Sequence, residues 1–222
     1  MKNGFALIPD VFSAPELDSI SRELAIAPLK RSRAGIRHLL SVPAIAALAR
    51  DSRLLELATD ALSCQPVPFG ATLFDKSVEA NWLVVWHQDT ALPLLERREA
   101  PGWGPWSEKS GIVYAHAPAA ALEQVVALRV HLDDSTPDNG PLRVLPGTHE
   151  MGVLNDEQIR ANAQRLEPVA CTVDRGGVLA MRPLLVHASS KVATEAPRRV
   201  IHLEYATSAV LAHGLHLRTD HS

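Results

Sequence analysis

The chain has 222 residues, with 22 lysines and arginines against 25 aspartates and glutamates, so its formal net charge is −3. This length suits one domain that folds without disulfides, and the near-neutral charge argues against nucleic acid or an anionic membrane as a partner. The two cysteines, Cys64 and Cys171, predict reduced thiols in a cytoplasmic protein. Because no run of about 18 apolar residues occurs, we expect no membrane-spanning segment.

The first part of the chain, residues 1–66, is predicted to be mainly helical. A short strand over residues 4–9 is followed by apolar side chains at helical spacing over 14–27, with Ser13 as a suitable N-cap. We expect these helices to support the part of the domain that follows. The other predicted helices cover residues 43–50 and 52–63.

From residue 67 onward, short segments rich in β-branched and aromatic residues alternate with turn motifs such as TPDNG at 136–140. Many short strands without long helices between them are typical of a sandwich or barrel. We therefore predict a mostly β (α+β) fold in one domain, 1–222, with the N-terminal helices packed against a jelly-roll core over 67–206. The predicted strands cover residues 67–74, 82–87, 124–132, 142–145, 169–173, 178–187 and 199–206.

Residues 91–120 fit neither pattern, because they combine four prolines and three glycines with Trp103 and Trp106. A loop of this length in a compact domain is usually a lid, a binding loop or a disordered insertion. We expect an active-site lid, the alternative being that both tryptophans simply anchor the loop to the core.

The clearest chemical motif is the sequence WHQD at residues 86–89. If the strand stays extended, His87 and Asp89 project to one side while Trp86 and Gln88 project to the other. A histidine and a carboxylate on the same face can bind one metal ion, although this short motif alone is weak.

His187 is a candidate for the third ligand, since it follows an apolar run at a point where a strand meets a turn. Two histidines and one carboxylate form the facial triad of non-haem Fe(II) oxygenases, which leaves positions open for a cosubstrate and dioxygen. No cysteine lies nearby, which argues against a structural zinc site.

Eleven residues after His187, Arg198 and Arg199 open the last predicted strand. A buried arginine holds a carboxylate through two parallel hydrogen bonds, as a dicarboxylate cosubstrate would need. Strand alternation does not settle which of the two arginines points inward.

Together these blocks resemble the phytanoyl-CoA dioxygenase family of Fe(II)/2-oxoglutarate-dependent oxygenases. The likeness extends over roughly residues 67–206. It is carried by Asn81-Trp82 and WHQD at 86–89, by LDD at 132–134, NGPL at 139–142 and LPGTH at 145–149, and by RGG at 175–177, HAS at 187–189 and RR at 198–199.

The resemblance implies a double-stranded β-helix with Fe(II) held by His87, Asp89 and His187. It further implies that Arg198 rather than Arg199 binds 2-oxoglutarate. Ser189 matches a residue that helps to hold the same carboxylate, and Gln88 and Arg129 match cosubstrate contacts of some relatives.

The implied activity is that of a dioxygenase that uses O2 and 2-oxoglutarate, hydroxylates an unactivated C–H bond and releases succinate and CO2. The charged residues of 91–120 do not form the basic cluster that a coenzyme A ester would need, so we expect a smaller organic substrate. The alternatives are a non-catalytic jelly roll that binds a metal or ligand, and a jelly-roll metalloenzyme that does not use 2-oxoglutarate.

Overall fold

The computed structural model describes residues 1–28, 35–76, 83–109, 111–192 and 196–219. In these ranges the helices are α1 (Ala14–Ile26), α2 (Pro43–Leu48), α3 (Ser52–Leu62), α4 (Ala119–Leu122) and α5 (Asp156–Arg165). The strands are β1 (Phe5–Ile8), β2 (Ile36–Arg37), β3 (Val67–Lys76), β4 (Val84–His87), β5 (Ala91–Leu94), β6 (Trp106–Lys109), β7 (Ile112–His116), β8 (Val125–His131), β9 (Leu142–Val144), β10 (Val169–Cys171), β11 (Val178–Met181), β12 (His187–Ser189) and β13 (Arg198–Ala206).

Two antiparallel sheets enclose the core. The larger sheet has the strand order β1-β11-β8-β13-β3-β2, and the smaller one has the order β10-β9-β12-β4. Apolar side chains from both sheets, including Leu142 and Val144 of the smaller and Leu179 and Met181 of the larger, pack together between them. The predicted mostly β fold with a jelly-roll core is confirmed.

The N-terminal helices cover the outer face of the larger sheet, as predicted. Leu17 of α1, Ile45 of α2 and Leu54 of α3 are fully buried in one cluster with Ile201 and Leu203 of β13. Because side chains alternate along a strand, the residues between these apolar positions point into the jelly roll. The helices therefore let β13 carry an apolar outer face and a polar inner face.

The segment predicted as a loop over 91–120 instead forms a third sheet, with the strand order β5-β7-β6. Lys109 pairs with Ile112, so that β6 and β7 form a tight hairpin in which Gly111 has a φ of +76°. Trp103 is buried in a cluster with Leu92 and Leu122, and Trp106 packs against that cluster. Prolines and glycines lie between these short strands and conceal them in the sequence.

Two further sequence expectations concern individual segments. Trp82 lies outside the described residues, and the strand expected from there is described from Val84 onward. No helix in the described part of the chain is long and apolar enough to cross a membrane.

We expect the Leu54→Ala substitution to lower the free energy of unfolding by about 2–5 kcal/mol, because it leaves a cavity between α3 and the larger sheet. Chemical denaturation followed by circular dichroism measures this change. Ile26→Ala is the control, since Ile26 is 79% exposed and its loss should cost less than about 0.5 kcal/mol. Equal losses in the two variants would contradict this packing.

Candidate metal centre and adjoining pocket

The pairing of β4 with β12 brings two predicted ligands together. His87 and His187 are direct partners in this antiparallel pair, and their ring centroids lie 4.2 Å apart. Asp89 follows β4, and its backbone N–H donates to the carbonyl of Pro183 at 2.9 Å. The nearest ligand atoms of the three side chains all lie within 4.8 Å of one another.

Hydrogen bonds fix the tautomer of both histidines. Nδ1 of His87 lies 2.9 Å from the carbonyl oxygen of Val85, and Nδ1 of His187 lies 2.8 Å from that of Leu185. Since a carbonyl oxygen can only accept, each Nδ1 carries the proton and each Nε2 presents a lone pair. These Nε2 atoms lie 3.5 and 3.4 Å from the carboxylate oxygens of Asp89.

The protonation states suit metal binding. Burial would raise the pKa of Asp89, but the adjacent His187 and His87 outweigh it and the net shift is downward. Burial lowers the pKa of His187 to about 4, which keeps this imidazole neutral near pH 7. Burial also opposes the charged form of His87, but Asp89 outweighs it and raises the pKa of His87, so a metal ion would displace the second proton, on Nε2, when it binds. An ionised carboxylate beside a neutral imidazole is the state that binds a divalent cation.

A cavity of about 80 Å³ adjoins the three ligands, and buried polar side chains surround it. Ser189 is at the centre of their hydrogen bonds, because its Oγ donates to the carbonyl of Gly140 at 2.9 Å. The same oxygen accepts from Nζ of Lys76 at 2.8 Å and from Nη2 of Arg198 at 3.3 Å. Lys76 also donates to the backbone carbonyl of Ser190.

The structure distinguishes the two adjacent arginines. Arg198 is 4% exposed and lines the cavity, and its Nε is buried without a hydrogen-bond partner in the described part of the chain. Arg199 points to the other side, where Nε and Nη2 donate to the carboxylate of Asp133 at 2.8 and 2.7 Å. Of these two adjacent arginines, Arg198 is therefore the one that offers a buried guanidinium to a ligand in this cavity.

Three buried cations face this cavity together. Burial lowers the pKa of Lys76 to about 8, that of Arg198 to about 9 and that of Arg129 to about 10, and mutual repulsion contributes for the first two. Arg129 also stacks over Phe74, with its guanidinium carbon 5.0 Å from the ring centroid. Among the described lining residues Asp89 is the one carboxylate, so the cavity favours an anion.

Lys76 was not predicted as a site residue. It is opposite Arg198 in the pairing of β3 with β13, and it is fully buried. A lysine at the end of a strand usually lies at the surface, so no local pattern in the sequence marked it. Only the register of the two strands would have revealed its position.

Gln88, predicted as a cosubstrate contact, forms hydrogen bonds with backbone groups. Its Nε2 donates to the carbonyls of Leu184 at 2.7 Å and Gly152 at 2.9 Å, while its Oε1 accepts from the N–H of Leu154 at 2.8 Å. The side-chain amide is thus engaged with backbone groups, and Gln88 is not among the residues that line the 80 Å³ cavity. The alternation predicted for WHQD explains this outcome, because Gln88 projects away from His87 and Asp89.

Comparisons with solved structures show the same fold. Apo EctD from S. alaskensis superposes with a TM-score of 0.73 at 22% identity, covering 100% of this chain and 82% of that one. HygX from Streptomyces hygroscopicus, solved with nickel and 2-oxoglutarate, gives a TM-score of 0.68 at 21% identity, covering 95% and 85%. The α-ketoglutarate-dependent epimerase SnoN from nogalamycin biosynthesis gives 0.67 at 19%, covering 94% and 79%.

No curated protein sequence matches the chain at a significant level. The family model described as phytanoyl-CoA dioxygenase (PhyH), however, matches residues 1–200. This match spans the N-terminal helices, all three predicted metal ligands and the strands up to the start of β13. The chain therefore belongs to the phytanoyl-CoA dioxygenase family.

Proposed function

We propose that this protein is a non-haem Fe(II)- and 2-oxoglutarate-dependent dioxygenase that oxidises an unactivated C–H bond of a small organic molecule and releases succinate and CO2. The observation that carries the proposal is the convergence of His87, Asp89 and His187 beside a cavity with a buried guanidinium. Membership of the family supports it. EctD has been solved with Fe and also with 2-oxoglutarate and 5-hydroxyectoine, which supports the same cofactors here.

The donor set fits iron. Two imidazole nitrogens and one carboxylate suit Fe(II), and one side of such a triad stays open for further ligands. The bound iron and 2-oxoglutarate would supply the oxidising power for reaction with O2. The chain's own contribution is to orient both imidazoles through the carbonyls of Val85 and Leu185 and to keep Asp89 ionised.

The cavity beside the triad fits the dicarboxylate. Arg198 would pair with the carboxylate distant from the metal, and its unpartnered Nε is a donor that this carboxylate would satisfy. The Ser189 hydroxyl would hold the same group, while Lys76 and Arg129 would offset its negative charge. A metalloenzyme that does not use 2-oxoglutarate would have no need for three buried cations here.

A second cavity of about 290 Å³ reaches His87 and Asp89 from the side of the third sheet. The β6–β7 hairpin contributes Lys109, Tyr114 and His116 to its wall. We propose that this cavity receives the substrate and that the hairpin acts as its lid, which excludes water during oxidation.

Anaerobic addition of 2-oxoglutarate to the Fe(II)-loaded protein should produce a visible charge-transfer absorption band. His187→Ala should abolish the band because it removes a buried metal ligand, whereas His216→Ala, at an exposed position, should retain it. A band that persists in His187→Ala would contradict the triad. A folded, iron-loaded wild-type protein without the band would overturn the proposed function.

Arg198→Ala should weaken 2-oxoglutarate binding more than tenfold, because loss of a desolvated charge partner costs about 2–5 kcal/mol. Arg199→Ala removes a partly exposed ion pair with Asp133 and should change the Kd less than about fivefold. Titration of the absorption band with 2-oxoglutarate measures both. Equal effects would refute the assignment of Arg198.

We propose that Gln88 anchors the end of β4 and does not contact the cosubstrate. Gln88→Leu should then lower the free energy of unfolding of the metal-free protein by about 1–3 kcal/mol, because buried backbone groups lose their partners. Denaturation in the presence of a chelator measures this loss, and Gln164→Leu, at an exposed position on α5, serves as the control. Unchanged stability with weakened 2-oxoglutarate binding would restore the role as a cosubstrate contact.

A further inference from the structure

An acidic side chain that takes no part in metal binding lies in the 290 Å³ cavity. Glu204 is on the inner face of β13, on the same side as Arg198 and His202, and it shares the cavity with His87 and Asp89. A group bound against Glu204 would therefore belong to a molecule that also faces the metal centre.

The carboxylate of Glu204 lies over its cross-strand partner, Gly70. A Cβ atom at position 70 would collide with Oε2 of Glu204, so that the glycine makes room for the carboxylate. The side chain of Glu204 makes no hydrogen bond or ion pair within the described part of the chain. Burial, with a contribution from Asp89, outweighs the attraction of Arg37 and raises the pKa of Glu204 to about 8, so this carboxyl group ionises readily only when a cation lies beside it.

A basic side chain faces the same space without forming an ion pair with Glu204. Arg37 of β2 lines both the 290 Å³ cavity and a smaller one of about 30 Å³, and Thr72, Tyr114 and Glu204 also line both. In the described structure no ion pair joins Arg37 to Glu204, so their charged groups are more than 4.0 Å apart. A carboxyl group and a guanidinium that face one cavity without pairing leave room for a molecule between them.

We propose that the substrate is a small amino-acid-like zwitterion, whose ammonium nitrogen pairs with Glu204 and whose carboxylate pairs with Arg37. A zwitterion satisfies both side chains, whereas a singly charged molecule leaves one of them without a partner. The cavity volume is at the lower end of the range for ligand sites, which agrees with a small molecule. This inference rests on the proposed function, because it identifies the bound molecule as the one that is oxidised.

The test measures the binding of glycine and the ω-amino acids from β-alanine to 6-aminohexanoate by ligand-observed NMR. The protein is loaded with Fe(II) under anaerobic conditions, and excess 2-oxoglutarate keeps carboxylates out of the cosubstrate cavity. The amine and the carboxylic acid of each chain length are the matched singly charged probes. At least one amino acid should bind tenfold or more tightly than both of its matched probes.

Glu204→Gln and Arg37→Gln should each weaken the binding of that amino acid at least tenfold. The control substitutions are Glu157→Gln and Arg160→Gln, at exposed positions on α5 away from both cavities, and they should leave its binding unchanged. No preference for a zwitterion, or equal binding by Glu204→Gln and Glu157→Gln, would overturn the inference. A preference for the amine or for the acid alone would also overturn it, in favour of a cationic or an anionic substrate.

The absorption band with 2-oxoglutarate is recorded for every variant. A normal band without zwitterion preference refutes this inference and leaves the proposed function standing. Selective zwitterion binding without any band refutes the proposed dioxygenase instead. A normal band in Glu204→Gln also shows that this variant is folded and that its metal centre is intact.

Discussion

The antiparallel pairing of β4 with β12 is the constraint on which the site depends. It places His87 directly opposite His187 although the two residues are far apart in the sequence. The same backbone supplies the carbonyls that fix both tautomers, since each Nδ1 bonds to the carbonyl two residues earlier in the chain. A shift of one residue in this pairing would turn one imidazole away from the other. The remainder of the jelly roll holds these two short strands in register.

Strand β13 connects the hydrophobic core with the polar interior. Its outer side chains, Ile201 and Leu203, pack under the N-terminal helices, while Arg198 and Glu204 occupy the inner face. Burying charged groups is costly, and the apolar packing on the other face of the same strand offsets that cost. Strand β13 thereby presents the guanidinium of Arg198 to the 80 Å³ cavity and the carboxyl group of Glu204 to the 290 Å³ cavity.

The fold and the convergence of His87, Asp89 and His187 were accessible from the sequence because they follow local patterns. Alternation in WHQD placed His87 and Asp89 together, and the apolar run before His187 placed that histidine in a buried strand. The inward position of Arg198 came from the family resemblance, since alternation alone left it open against Arg199. The hydrogen bonds of Gln88, in contrast, could not be predicted, because they depend on loops around Gly152 and Leu184 that no motif identifies.

Residues that depend on strand register could not be predicted. Lys76 reaches the 80 Å³ cavity only because β3 pairs with β13 in one particular alignment. The same alignment places Gly70 where it accommodates Glu204. Likewise, the three strands within residues 91–120 are short and separated by prolines, so that their pairing arises from packing around Trp103 rather than from periodicity. The pairing of strands that are distant in the sequence therefore determines these positions, which local sequence patterns do not.

The position of β4 also has a kinetic consequence. It is the terminal strand of the smaller sheet in the described structure, so strand pairing holds His87 on one side, and the amide of Gln88 ties the strand end to neighbouring loops. The free energy needed to detach a terminal strand is lower than the free energy needed to unfold the whole domain. Detachment of β4 would withdraw two of the three proposed ligands while the helices and the larger sheet stay folded. Metal exchange at the proposed site would then follow this local opening and not the global stability of the protein.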